Sequence, residues 1–265
     1  MTLTLPPDEV HLWYCLTDAL ADPRLLAAYE ALLAPEERVR RDRYRFEKSR
    51  REYLLTRALV RSTLSRYAPV APAAWTFRQN AYGRPEIDHS THSTHSTHST
   101  HSTHSTRSTP PEPGVLRFNL SNTYGLIACA VTLDRELGVD VEDTERPGET
   151  VSIADGFFSR QEIAALRALP PDRQRSRFFD YWTLKEAYIK ARGMGLAIPL
   201  DQFSFSLDDG PRIGVAFDPA LGDDASTWQF EQFALSPRHR TSAAVRRGPG
   251  PDLRFVVRRT VPLLG

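Results

Sequence analysis

A chain of 265 residues, 40% hydrophobic and 25% charged, is long enough for one large globular domain or two small ones, each with its own core. Its net charge of +1 selects no partner, no apolar run approaches the length of a membrane span, and the first fifteen residues lack the basic region and apolar stretch of a signal peptide. These features predict a cytoplasmic protein with no membrane role. Cys15 and Cys129 lie in apolar strand-like runs and read as two buried thiols, not as a disulfide or a metal pair.

In chain order, Val10–Leu16 reads as a strand, and helical stretches follow near 23–33 and 35–47. From Arg51 to Tyr67, Leu54, Leu55, Ala58, Leu59 and Leu64 fall at helical spacing, and the run ends before Pro69. Between Pro35 and Tyr67, eleven Arg or Lys face five Asp or Glu, a local net charge of +6. Such a block either attracts phosphate, nucleic acid or an acidic protein, or is a solvated helix laced with ion pairs. Residues 75–77 suggest a short strand and Tyr82-Gly83-Arg84-Pro85 a turn.

Residues 89–106 are six copies of His-Ser-Thr, followed by Arg107-Ser108-Thr109 and a Pro-rich tail to Gly114. The tract has no apolar side chain to offset the entropy of ordering, so 89–109 is expected to be a disordered loop. Its six histidines can bind metal adventitiously, but tandem expansion of the coding DNA explains a perfect triplet better than a built site does.

Beyond the repeat, 116–121 and the buried run 126–131 read as strands. Asp134-Arg135-Glu136 is a tight connection into 137–142 and predicts a hairpin of 126–131 with 137–142. Ser159-Arg160-Gln161-Glu162 has the form of a capping box, and Pro170-Pro171 ends the helix it opens. A further helix is expected from about Arg173 to Arg192, stopping at Gly193, with later strands at 203–207, 213–217, 228–233 and 242–245. The succession is α+β: two pseudo-symmetric halves, 1–113 and 114–265, each a small antiparallel sheet packed on a long helix.

Two acidic motifs carry the chemistry. In Gly138-Val139-Asp140-Val141-Glu142, strand alternation sends both valines into the core and both carboxylates to the other face, with Cα atoms about 6–7 Å apart. That separation lets both reach one hard cation, and oxygen-only ligation suits Mg²⁺; a half-exposed acidic strand has the same pattern. In the helix, Phe178, Trp182, Lys185 and Ile189 share one stripe, and Phe179, Thr183, Glu186 and Lys190 the next. Glu186 and Lys190 are spaced as an i,i+4 pair at the edge of an aromatic helix.

Together these stretches resemble the larger, Sfp-like class of 4′-phosphopantetheinyl transferases. The matches are Gly138–Glu142, Phe157-Phe158-Ser159 with Glu162, and Trp182–Ala187 with Lys190, with weaker ones at Phe118-Asn119-Leu120-Ser121, Gly83-Arg84-Pro85 and the basic helix 43–61. The resemblance covers about residues 10–235, interrupted by the repeat. It implies transfer of phosphopantetheine from coenzyme A to a serine of an apo acyl or peptidyl carrier protein, with release of 3′,5′-ADP, in lysine biosynthesis or secondary metabolism. It implies that Asp140, Glu142 and Glu186 hold Mg²⁺ against the pyrophosphate, that Glu186 is the general base, and that Lys190, with Lys185 nearby, neutralises phosphate charge. Lys48, Arg51, Arg84 and Ser121 would bind the nucleotide end. The family often has Ser-His where this chain has Ser121-Asn122, so Asn122 is a candidate there without the charge. A fused two-half chain can build this site as a monomer.

Three other readings compete. A nucleic-acid-binding module would use the arginine-rich segment 38–66 and bind in a salt-sensitive way. A histidine-rich metal-sequestering protein would depend on residues 89–109. An inactive relative is the third, and the intact acidic set argues against it.

Overall fold

The computed structural model describes residues 2–90, 114–148, 150–207, 212–248 and 250–264. The His-Ser-Thr repeat from residue 91 onward, and the expectation of disorder made for it, lie outside them. Strand β1 (Glu9–Leu16) is followed by helices α1 (Pro23–Leu32), α2 (Pro35–Asp42) and α3 (Glu47–Leu64). Next come the short strands β2 (Phe77–Gln79) and β3 (Pro85–Ile87), then β4 (Leu116–Thr123), β5 (Leu126–Leu133) and β6 (Leu137–Asp143). The chain continues through α4 (Arg160–Ala168), α5 (Pro171–Arg192), β7 (Phe203–Ser206), β8 (Gly214–Phe217), β9 (Trp228–Ser236), β10 (His239–Arg246) and β11 (Arg254–Arg259). The class is α+β.

Four strands form one sheet in the order β11-β1-β5-β4, and three form a second in the order β6-β10-β9. Alternate residues of β5 serve two cores. Ile127, Cys129 and Val131 pack under α3 with Trp13, Leu55 and Leu59. Leu126, Ala128 and Ala130 face Val139, Val141 and Val245 of the second sheet. This double burial explains the unbroken apolar run in β5. The second sheet's other face is covered by α5, whose Phe178, Phe179, Tyr181, Leu184 and Tyr188 pack with Phe203, Phe205, Trp228 and Phe230.

Two expectations are corrected. β5 forms its hairpin with β4, through the turn Tyr124-Gly125 with Gly125 at φ +89°, and not with β6. Asp134, at φ +56°, turns the chain away, and β6 pairs antiparallel with β10. A strand apolar on both faces needs cover on both sides; β6, apolar on one face and acidic on the other, supplies part of that cover. The first sheet is also not purely antiparallel, because β11, absent from the sequence reading, pairs parallel with β1 from Glu9↔Arg254 to Tyr14↔Arg259. Three of its four strands come from beyond residue 113.

The basic segment is two helices; Arg61 is spent inside the fold, Arg41, Arg57 and Arg66 are half-buried against partners, and Arg38, Arg40, Arg43 and Arg45 are exposed. Arg61 is 1% exposed and donates to Glu37 Oε2 at 2.7 Å and to the Trp75 carbonyl at 2.7 Å. Arg57 pairs with Glu37, Arg41 with Glu30, and Arg38 donates to the Leu33 carbonyl. Arg66 lies over the Trp13 ring and donates to Thr260. This is the ion-paired alternative of the sequence reading, and nothing supports the nucleic-acid module.

Ser159 and Glu162 form the expected capping box at the start of α4. Glu162 has a second role. Fully buried, it accepts from Lys185 Nζ at 2.8 Å with Oε2 and from the Phe205 N–H at 3.0 Å with Oε1. Lys185, equally buried, spends its other two protons on the Leu200 and Phe203 carbonyls, at 2.6 and 2.7 Å. Burial pulls its pKa down while Glu162 opposes the shift. Both cysteines are buried and free, and burial pushes the Cys15 thiol up to about 12. Among the described residues no helix is long and apolar enough to cross a membrane.

Removing one partner of a fully satisfied buried pair strands the other's charge. Lys185→Met should therefore cost on the order of 3–5 kcal/mol of unfolding free energy. Urea denaturation reads this, and a loss below about 1 kcal/mol contradicts the assigned role of the pair.

Candidate active site

The site forms where α5 lies against the acidic face of β6. Gly138 permits that approach: a Cβ there would sit 1.9 Å from the Ala187 carbonyl oxygen and 2.5 Å from the Ala191 nitrogen. With the helix backbone seated on Gly138, the next two outward positions of the strand, Asp140 and Glu142, face the helix turns that carry Glu186 and Lys190. The two valines of the motif point the other way and are buried between the sheets.

Asp140 is buried, and its Oδ1 accepts from Lys190 Nζ at 2.6 Å and from Ser121 Oγ at 3.0 Å. Ser121 in turn accepts from Lys190 Nζ at 2.9 Å and from the Val141 N–H at 3.2 Å, so one donor and two lone pairs are all used. Two residues earlier on β4, Asn119 Oδ1 accepts from the Val139 N–H at 3.0 Å. Asn119 and Ser121 thereby stitch the edge of β6 to β4 through side chains, across two sheets. Sequence reasoning missed Asn119, although strand alternation places it on the same face as Ser121.

Glu142 is half-buried. Its carboxyl is pushed up to about 7 by burial and next by Asp140, against the pull of Arg146, Lys190 and a hydrogen bond with Trp182. The Glu186 carboxyl is also raised, by burial and then by Asp140, with Lys190 opposing. Glu186 and Lys190 thus sense each other, but the close partner of Lys190 is Asp140 rather than its i,i+4 neighbour. Glu142 and Glu186, both held where they resist ionisation, lie beside Asp140 with one ammonium among the three, so the site is short of positive charge.

The residues fit a divalent cation. Asp140 Oδ2 is buried with no hydrogen-bond partner, a lone pair facing a region already rich in carboxylate. Among the described residues no three His, Cys, Asp or Glu side chains gather tightly enough to cage a metal by themselves. For Mg²⁺ that is no objection, since it keeps water and takes ligand phosphate alongside one or two carboxylates.

The other predicted site residues scatter. Lys185 is not in the cleft; its ammonium lies in the core with Glu162. Arg84 reaches the last turn of α5, donating to the Ala191 carbonyl at 2.7 Å, the Lys190 carbonyl at 3.3 Å and Glu86 at 2.8 Å. Lys48 stacks on the Tyr124 ring, 3.9 Å from its centre, with Arg238 also over that ring. Arg51 donates to the Leu20 carbonyl at 2.7 Å. Asn122 is exposed near the end of β4. The structure thus brings together Ser121, Asp140, Glu142, Glu186 and Lys190, with Arg84 behind the helix end, and leaves Lys185 elsewhere.

An α+β chain with a cluster of buried and half-buried carboxylates between strand and helix is of a class suited to cations and phosphate esters. A family model described as the 4′-phosphopantetheinyl transferase superfamily matches residues 136–245, the stretch that carries β6, α5 and β10. The chain is 34% identical to the 4′-phosphopantetheinyl transferase HetI of Nostoc sp., over 92% of this chain and 89% of that protein. It is 30% identical to a 4′-phosphopantetheinyl transferase of Bacillus subtilis, over 73% of each, and 25% identical to Sfp of Bacillus subtilis strain 168, over 84% of this chain and 87% of Sfp. The chain belongs to the 4′-phosphopantetheinyl transferase superfamily and is a transferase.

The raised Glu142 carboxyl makes a prediction for the metal-free protein. Between the ordinary 4.5 and about 7, the folded state keeps a proton that the unfolded state has released. Stability therefore falls as pH rises through that window. Glu142→Gln should flatten this part of the profile, as read by urea titrations in chelator at pH 5 and pH 8. An unchanged profile means Glu142 is not buried among like charges.

Proposed function

We propose that this protein transfers the 4′-phosphopantetheine group of coenzyme A to a serine hydroxyl of an apo acyl or peptidyl carrier protein. The serine oxygen forms a bond to the phosphorus next to pantetheine, the pyrophosphate P–O bond breaks, and 3′,5′-ADP leaves. The observation that carries the reading is the meeting of Asp140, Glu142, Glu186 and Lys190 at one strand–helix contact, in a chain 34% identical to a 4′-phosphopantetheinyl transferase.

Asp140, Glu142 and Glu186 would hold Mg²⁺. When bound, the ion supplies Lewis-acid stabilisation of charge on the pyrophosphate. Glu186 takes the serine proton. Lys190 leaves Asp140 to neutralise the departing phosphate, and Ser121 keeps the Asp140 carboxylate oriented in either state. Phosphoryl-type transfer depends mainly on such positioning and electrostatic stabilisation, which fixed side chains on a strand and a helix can provide. Arg84, Lys48, Arg51 and Asn122 are assigned to the nucleotide end. Lys185 is left out, because its three protons are spent in the core.

The same reading makes the protein a cytoplasmic monomer of two pseudo-symmetric halves, interleaved in sequence because β4, β5 and β11 from beyond residue 113 complete the sheet under α3. In its support, α3 covers the first sheet much as α5 covers the second.

Incubation with coenzyme A, Mg²⁺ and a panel of apo carrier proteins, read by mass spectrometry, tests the proposal. Carriers should gain one phosphopantetheine, and Glu186→Ala and Asp140→Ala should lower the rate by at least about a hundredfold, the scale of a general base or a charge-stabilising group. A folded protein that modifies no carrier contradicts it.

A further inference from the structure

We infer that Asn80, which no motif singles out, is a positioning residue that locks the Arg84 turn onto the end of the helix bearing Lys190. The inference rests on the transferase reading for its kinetic consequence, but its structural half stands alone.

Asn80 opens the loop between β2 and β3. Its Oδ1 accepts from the N–H groups of both Tyr82 and Arg84, at 2.9 Å each, and its backbone pairs with Gly83 and Arg84. The two inward-pointing donors of the loop are thereby satisfied, and Gly83 completes the turn at φ +86°. The other end of the amide points outward: Nδ2 donates to the Gly193 carbonyl at 2.7 Å, 113 residues away in sequence. One side chain therefore both shapes the turn and docks it on α5.

The docking point matters because of what lies on it. The last carbonyls of a helix have no partner within the helix and form the negative end of its dipole. Here Asn80 takes the Gly193 carbonyl while the Arg84 guanidinium takes those of Ala191 and Lys190. Gly193 lets the guanidinium lie close: a Cβ there would stand 2.6 Å from Arg84 Cζ. The backbone of Lys190 is thus gripped from behind by the loop, while its ammonium reaches forward to Asp140. Arg84 and Lys190, cations assigned to the nucleotide end and to the departing phosphate, are held in one frame by Asn80, which need not touch the ligand.

Two substitutions separate shaping the turn from docking it. Asn80→Asp keeps an oxygen for the Tyr82 and Arg84 N–H groups. It replaces the Nδ2 donor with a carboxylate oxygen facing the Gly193 carbonyl. Asn80→Ala removes both functions. Both variants should raise KM for coenzyme A roughly three- to tenfold with kcat within about twofold, the effect of one net hydrogen bond expressed as ligand positioning. Amide hydrogen exchange at residues 190–194 should quicken in both, with the melting temperature nearly unchanged.

Asn80→Asp matching wild type in KM and exchange while Asn80→Ala is impaired would reduce Asn80 to a turn former and overturn the inference. So would an equal fall of kcat and stability in both. If wild type modifies no carrier, the transferase reading fails, and the exchange rates at 190–194 decide the loop–helix lock on their own.

Discussion

The contact between the α5 backbone and Gly138 of β6 is the constraint on which the candidate site depends. Carboxylates separated by more than forty residues meet because a helix can lie on a strand where no side chain intervenes. Gly138 is needed for space rather than for conformational freedom. A Cβ would fall 1.9 Å from a helix carbonyl, a contact neither backbone can relieve without moving α5. Moving α5 separates Lys190 from Asp140 and Glu186 from the strand. The motif's glycine, valines and acids are therefore one mechanical unit: close approach, anchorage between the sheets, and charge.

Around that contact the fold spends buried polar groups to fix geometry. Ser121 and Asn119 hold β6 to β4 although the two strands belong to different sheets. On the far side of α5, Glu162 and Lys185 tie the helix to α4 and to β7, with all three ammonium protons and both carboxylate oxygens engaged. Such a pair adds little net stability, yet breaking it is costly, so it favours one register of helix on sheet. Trp182 links the two sides, packing on Phe178 and Phe157 while hydrogen-bonding Glu142. The consequence is a cluster of three carboxylates in which Glu142 and Glu186 are reluctant to ionise, a site that a divalent cation would relieve.

Much of this was legible in the sequence, for local reasons. Alternation in 138–142 placed Asp140 and Glu142 correctly because a strand's period leaves no choice of face once Val139 and Val141 are core. Gly193 marked the end of α5, and Ser159 with Glu162 the start of α4, because caps are local chemistry. Long-range choices were not legible. Nothing in Leu126–Leu133 says whether its partner is β4 or β6, since an apolar strand accepts either. Arg254–Arg259 joins β1 in parallel across more than 230 residues, which no short-range signal encodes. Lys185 sits between two acidic-motif neighbours in sequence, yet one residue is 100° of helix, enough to turn it from the cleft into the core. The sequence left the arginines of 38–66 open between ion pairing and ligand attraction for the same reason: the acceptors of Arg61, namely Glu37 and the carbonyls of Pro72 and Trp75, become its neighbours only in three dimensions.

Gly138→Ala tests the central contact most directly, because it alters no candidate site side chain and displaces only the helix that carries Glu186 and Lys190. Mg²⁺-dependent transfer from coenzyme A to an apo carrier should be nearly abolished in a protein that still folds by far-ultraviolet circular dichroism, with stability lowered by about 1–3 kcal/mol, the usual cost of overpacking. Transfer at close to the wild-type rate would mean that the cleft does not depend on the helix lying against Gly138.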